Sequence, residues 1–294
     1  MVKAAAFASA VIVALSFSVA PVQTASAAID AAKDGKTKIN LSGRQRMLSQ
    51  RMAKAACFAS MDVQATEHMT MLGDAHALFQ QTLEGLSAGD SDQGMLPENN
   101  GEILSNLGEV ESLWSGYRVV NEEILASNAV SDEQLATIAT INLPVLEQMH
   151  KTVGVIEKVY GSSGEVHPAL ALALNVSGRQ RMLSQKASKE FCLIAAGVDV
   201  DANRASLAKT VELFSTSLTG LINGDAANAL APAPTPDILA QLQKVQAMWA
   251  PLESAFQSVI SGQAPSDSEI ALVAKDNNPL LVEMNKAVFM YNAL

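Results

Sequence analysis

The sequence predicts an all-α protein built as two tandem four-helix bundles, and three observations carry that prediction. One nine-residue segment recurs at a fixed offset, and matches at the same offset extend along nearly the whole chain. Apolar residues make up 49% of the sequence but aromatics only 4%. Ala, Leu, Val and Met must therefore form the core, which suits helices packed on helices better than sheets. Finally, each copy carries start and stop signals for four helices joined by short turns.

The repeat fixes the organisation. Residues 42–50 and 177–185 both read Ser-Gly-Arg-Gln-Arg-Met-Leu-Ser-Gln, an offset of 135. The same offset carries Cys57 to Cys192, Phe79 to Phe214, Gly89 to Gly224, Trp114 to Trp249, Pro144 to Pro279 and Lys151 to Lys286. The copies are expected at 28–160 and 169–294. They are joined by a linker at 161–168 that opens Gly161-Ser162-Ser163-Gly164.

Within each copy the elements follow in order. Helix one is expected at about 37–62 and 170–197, and helix two at about 65–88 and 200–223. Gly89-Asp90 and Gly224-Asp225 stop helix two. Helix three starts near Pro97 in the first copy. In the second it starts at Thr235-Pro236, where Thr235 caps and Pro236 takes the first helical position. Helix four opens at Ser131-x-x-Gln134 and at Ser266-x-x-Glu269, both capping boxes. Pro144 and Pro279 fall inside helix four and should kink or divide it. Trp114 and Trp249 are expected as equivalent anchors on helix three.

The first residues read as a secretory signal. Lys3 supplies the positive start, residues 4–20 the apolar stretch, and Ala25-Ser26-Ala27 the cleavage pattern, so residues 1–27 are expected to be a signal peptide cleaved after Ala27. No later stretch approaches transmembrane length, which makes the mature protein periplasmic with no membrane-spanning segment. The formal net charge is −10, so nucleic acid is excluded as a partner and any anion must bind at a local cationic site.

Helix one has two informative stripes. Leu41, Gln45, Leu48, Met52, Ala56 and Ala59 form a largely apolar face for the copy's own core. Ile39, Gly43, Arg46, Gln50, Ala53 and Cys57 form a face of small and polar residues broken by one arginine; its second-copy counterpart holds Gly178, Arg181 and Cys192. Small residues at helical spacing allow close backbone approach, so this stripe is read as the seam where the two first helices meet; the alternative is an exposed polar face.

The pattern Asn40-x-x-Gly43-x-x-Arg46-Met47-x-Ser49, repeated as Asn175-x-x-Gly178-x-x-Arg181-Met182-x-Ser184, resembles the sensor domains of the PilJ/NarX type. These are the N-terminal domain of type IV pili methyl-accepting chemotaxis transducers and the periplasmic domain of nitrate/nitrite sensor kinases. The resemblance implies a periplasmic four-helix bundle that dimerises along helix one. It also implies one small planar anion clamped by the arginine of each partner, here Arg46 and Arg181. Both copies lie on one chain, so the pair would form an internal pseudo-dimer.

The residues support that chemistry directly. A guanidinium fork matches a planar oxyanion and stays charged. Two of them about 6 Å apart repel by roughly 3 kcal/mol at an effective dielectric near 20, and an anion between them reverses the sign. Gly43 and Gly178, one turn earlier, let backbone approach a ligand. The alternative for Arg46 and Arg181 is a pair of buried salt bridges to glutamates. Arg44 and Arg179 lie on another side of the helix, as surface or inter-helix residues.

Cys57 and Cys192 occupy equivalent seam positions, and export permits a disulfide between them. Glu147-x-x-His150 has metal-site spacing, but the second copy has Val282 and Asn285 there, so no metal or other cofactor is expected. His68, His76 and His167 read as isolated surface residues. No nucleophile–base pair or phosphate loop is present, so the chain is not expected to be an enzyme. Two functions remain. One is a binding or sensing module for a small oxyanion such as nitrate or nitrite. The other is an interaction module that docks on a membrane chemoreceptor or sensor kinase having the same domain.

Overall fold

The computed structural model describes residues 30–294; the expected signal peptide lies outside them. Among the described residues the architecture is all helical, with eight α-helices in two tandem four-helix bundles. The first bundle holds α1 (Ala31–Ser60), α2 (Ala65–Ala88), α3 (Gly101–Ser127) and α4 (Asp132–Ser162). The second holds α5 (Pro168–Ala195), α6 (Val200–Asn223), α7 (Pro236–Ile260) and α8 (Asp267–Asn292). No helix among these residues is long and apolar enough to cross a membrane.

Local chemistry sets most ends. Ser131 and Ser266 close capping boxes with Gln134 and Glu269, each satisfying two otherwise orphaned N–H groups. Thr235 caps α7, with Pro236 opening the helix. Gly89 and Gly224 follow α2 and α6 at φ +84° and +86°. A methyl group on Gly89 would also strike Pro97 N at 2.7 Å, so glycine is required there on both counts.

Three expectations about elements need correction. Helix one begins at Ala31, capped by Asp30, well before 37. Helix three begins at Gly101, capped by Asn100, and not at Pro97. Glu98 explains the delay: its carboxylate turns inward to Lys38 and Tyr160, so this stretch stays a loop. Pro144 and Pro279 do not divide helix four, because α4 and α8 run unbroken through them. Packing on both sides supplies what the missing N–H removes, and in α4 the Asn142 amide also donates to the Ile138 and Ala139 carbonyls. The turn between the bundles is short, since α4 continues through Gly161 to Ser162 and α5 starts at Pro168.

Each core is built around its tryptophan. Trp114 lies 4.3 Å from Phe79 between ring centroids, and Trp249 stacks on Phe214 at 3.8 Å. Two histidines read as surface residues are drawn into the first bundle. His68 is buried against the Phe58 ring at 5.0 Å, and His76 is half-buried beside Trp114 at 5.4 Å. Burial of aromatic surface outweighs the polar character of a neutral imidazole. His167 is exposed and accepts from Ala169 N at the start of α5.

The two bundles join along α1 and α5, which pack on each other more extensively than any other pair of helices. The seam stripe lies wholly inside: Ile39, Gly43, Arg46, Gln50, Ala53 and Cys57 are all buried. A disulfide links Cys57 to Cys192, with their Cα atoms 6.1 Å apart. Helices α4 and α8 also reach across to the opposite first helix.

Candidate functional site

The repeat places one copy of each seam residue on either side of a pseudo-two-fold axis. Arg46 and Arg181 are 0% and 1% exposed. A methyl group on Gly43 would meet Arg46 Nη2 at 3.4 Å and Arg181 Nη2 at 3.6 Å; on Gly178 the distances would be 3.7 and 3.3 Å. Both guanidinium tips thus converge on the same two glycines, within van der Waals contact of each. A side chain at either glycine would occupy the space into which the arginines point.

The arginines reach across the seam to equivalent partners. Arg46 Nη2 donates to the Asn175 carbonyl at 3.2 Å. Arg181 Nη2 donates to the Asn40 carbonyl and to its Oδ1, both at 3.0 Å. The Nη1 atoms turn to helix four of their own bundle. Arg46 Nη1 lies 3.3 Å from His150 Nδ1, and Arg181 Nη1 donates to Asn285 Oδ1 at 3.2 Å. A guanidinium can only donate, so Nδ1 of His150 accepts and the ring is the neutral tautomer with its hydrogen on Nε2. Desolvation, with the charges of Arg46 and Arg179, holds the His150 pKa below its usual value. The Nε–H of both arginines is buried with no acceptor.

Neither arginine pairs with a carboxylate among the described residues. The salt-bridge alternative is therefore not what the structure contains. Glu157 forms no ion pair with Arg46; it accepts from the Asn175 amide, and its charge favours the Arg46 guanidinium from a distance. Burial lowers the pKa of both guanidinium groups to about 9; the charge of Arg179 adds to this for Arg46, and those of Arg44 and Arg46 for Arg181. Both stay charged at neutral pH.

Further along the same helices lies a second buried cationic pair that sequence reading missed. Lys54 and Lys189 are equivalent and each 1% exposed. Lys54 Nζ donates to Asn277 Oδ1 at 2.8 Å. Lys189 Nζ donates to Gln50 Oε1 at 3.0 Å and Asn142 Oδ1 at 3.1 Å. Gln50 and Gln185 donate in turn to Asn142 and Asn277. Desolvation brings Lys189 down to about 8, and Lys54 well below its ordinary value. The seam thus buries four basic side chains whose hydrogen-bond acceptors are all neutral, in a protein whose net charge is −10. The signal was available, since both lysines recur at the repeat offset, but a lysine on a polar helix reads as solvent-facing.

Two cavities flank the arginine pair. One of about 320 Å³ is bounded by α1, α2 and α8 and is lined in part by Asn40, Arg181 and Asn285. The other, about 480 Å³, is bounded by α5, α6 and α4 and is lined in part by His150 and Arg179. Arg44, on the wall of the first, donates to Thr82 Oγ1 at 2.8 Å and Gln93 Oε1 at 2.6 Å, which makes it an inter-element residue as expected.

The family described as "Type IV pili methyl-accepting chemotaxis transducer N-term" matches residues 28–139 and again 169–273. The chain belongs to the PilJ family. The two PilJ matches fall on the two halves of the repeat, so the duplication is of the family's domain. A curated relative, the methyl-accepting chemotaxis protein McpN of Pseudomonas aeruginosa, is 30% identical over 120 residues. That stretch is 41% of this chain and 22% of McpN, so the chain spans about a fifth of its relative's length. PilJ membership places the chain among sensory and signalling modules.

Proposed function

We propose that this PilJ protein is a periplasmic sensory module whose signal is a small planar oxyanion of the nitrate or nitrite class, held between Arg46 and Arg181. The observation that carries this reading is the convergence of two buried, carboxylate-free guanidinium groups on Gly43 and Gly178. Buried charge is costly unless it is compensated, and the seam's four basic groups meet only neutral acceptors. An anion supplies the missing charge. The two unpartnered Nε–H groups offer it donors, and His150 and Asn285 steady the outer nitrogens. The same absence of carboxylates counts against a purely structural arginine pair, which the docking-only reading requires.

The experiment is titration calorimetry of the full mature chain with nitrate and nitrite, with chloride and acetate as controls. One anion per chain is expected, with Arg46→Ala and Arg181→Ala each weakening it at least tenfold, about 1.4 kcal/mol. No heat from either oxyanion on the wild type would sink the reading. Protonation of His150 forfeits its bond from Arg46 but adds a positive charge, so binding should strengthen as pH falls below the ordinary imidazole range.

A further inference from the structure

The two flanking cavities occupy equivalent places in the duplication but differ in their chemistry. In the first, Arg44 is tied to Thr82 and Gln93, and Arg51 Nη1 donates to Asn278 at 2.8 Å with Asp74 on the same wall. In the second, these positions hold Arg179, Lys186 and Lys209, so the one acidic residue of the first lining is replaced by a lysine.

Arg179 is also released. The residues equivalent to Thr82 and Gln93 are Ser217 and Asn228. Ser217 donates to the Leu213 carbonyl and accepts from Gln180, while Asn228 is held by Asp225. Arg179 makes no hydrogen bond to any described residue, and its Nε is buried without an acceptor. Lys186 is matched by Glu190. Lys151 and Lys209 are exposed and form no ion pair among the described residues. Arg179, Lys151 and Lys209 thus face one carboxylate in the lining, Glu147, while Glu157 acts on Arg179 from outside it.

Beneath this rim the wall is apolar. Leu146, Met182 and Leu183 are buried in it, and Leu213, 41% exposed, stands at its mouth. A cavity of about 480 Å³ suits an organic ligand on the order of ten to twenty non-hydrogen atoms. A nitrate-sized ion would leave the apolar wall uncovered, and a neutral hydrocarbon would leave the cations unused.

We propose that this cavity is a second binding site, separate from the arginine pair, for a carboxylate carrying an apolar chain. The carboxylate sits against Arg179 and Lys209, where its two oxygens accept from the guanidinium fork in bidentate fashion, and the chain covers Leu146, Met182 and Leu183.

The test is calorimetry of the full mature chain with decanoate, below the concentration at which it self-associates, and with decanol. Decanoate is expected to bind one per chain and at least tenfold more tightly than decanol. Lys209→Asp, which installs the residue of the first cavity at an exposed position, should weaken decanoate about tenfold while leaving nitrate heats as in wild type. Absence of decanoate binding, equal binding of decanol, or equal affinity in Lys209→Asp would each overturn the proposal. The nitrate arm reads the arginine site independently, so failure of one site does not hide the state of the other.

Discussion

The two halves of this chain share a seam and differ in where each buries charge away from it. The first half buries a cluster near its start. Lys38 Nζ lies 3.1 Å from both Asp34 and Glu98, and Tyr160 donates to Glu98 at 2.9 Å. Burial opposes ionisation of Glu98, but bonds from Asn100 N–H, Lys38 and Tyr160 outweigh it and hold the carboxyl below its usual range. The second half has Ala169, Ala173 and Ala233 at the positions of Asp34, Lys38 and Glu98. It buries its charge midway instead, where Lys186 and Glu190 replace Arg51 and Ala55 and are joined by Ser206 and Thr210. The seam arginines, glycines, cysteines and lysines are matched between the copies, whereas these two clusters, each facing one bundle only, are not.

Breaking the shared seam should have the largest effect. The bridge between Cys57 and Cys192 spans 135 residues of sequence. A loop that long is worth about 5 kcal/mol by chain-entropy reasoning. Cys57→Ser with Cys192→Ser should lower unfolding stability by that order in urea titration, and unchanged stability would show that the seam holds without it.

Next come the half-specific clusters. Lys38→Met leaves two buried carboxylates unpaired and should destabilise by about 4 kcal/mol. Replacing Asp34, Lys38 and Glu98 together by alanine, as the second half has them, should cost much less. A triple variant as unstable as the single one would break the comparison.

The buried lysines predict a dependence on pH. Lys189 has a folded pKa of about 8, against an unfolded value near 10.4. Between these the unfolded state binds more protons, so stability is greatest above pH 10.4 and is lost as pH falls towards 8. The span is worth on the order of 3 kcal/mol. Lys189→Met should flatten its share of that slope in denaturation curves from pH 8 to 10. A slope unchanged by the substitution would contradict a buried lysine.

The smallest effect is an asymmetry. Arg44→Ala loses two bonds, to Thr82 and Gln93, and should cost about 1.5 kcal/mol. Arg179→Ala loses no hydrogen bond and should stay within about 0.5 kcal/mol of wild type.

Much of this architecture is legible in the residues, and the illegible parts have physical causes. Helix two was readable to the residue in both copies because Gly89 and Gly224 need a left-handed backbone that ends a helix. The start of helix one was not, because Asp34 and Lys38 look like solvated charges until Tyr160 arrives from 122 residues away in sequence to enclose the lysine. At the candidate site, Arg46, Arg181 and the two glycines were visible through the repeat. His150 was seen only as half of a metal spacing. Its position beside Arg46 depends on α4 folding back along α1, and its symmetry mate is an asparagine, so the repeat gave no cue.

The covalent seam has a consequence for signalling. Receptors assembled from separate subunits lose sensitivity when dilute, because ligand must first gather its halves from solution. Here α1 and α5 belong to one polypeptide and are bridged by Cys57 and Cys192, so both arginines of the pair are present at any expression level. A dose–response curve for an anion at Arg46 and Arg181 should then be a simple hyperbola, with a midpoint indifferent to how much protein the cell makes.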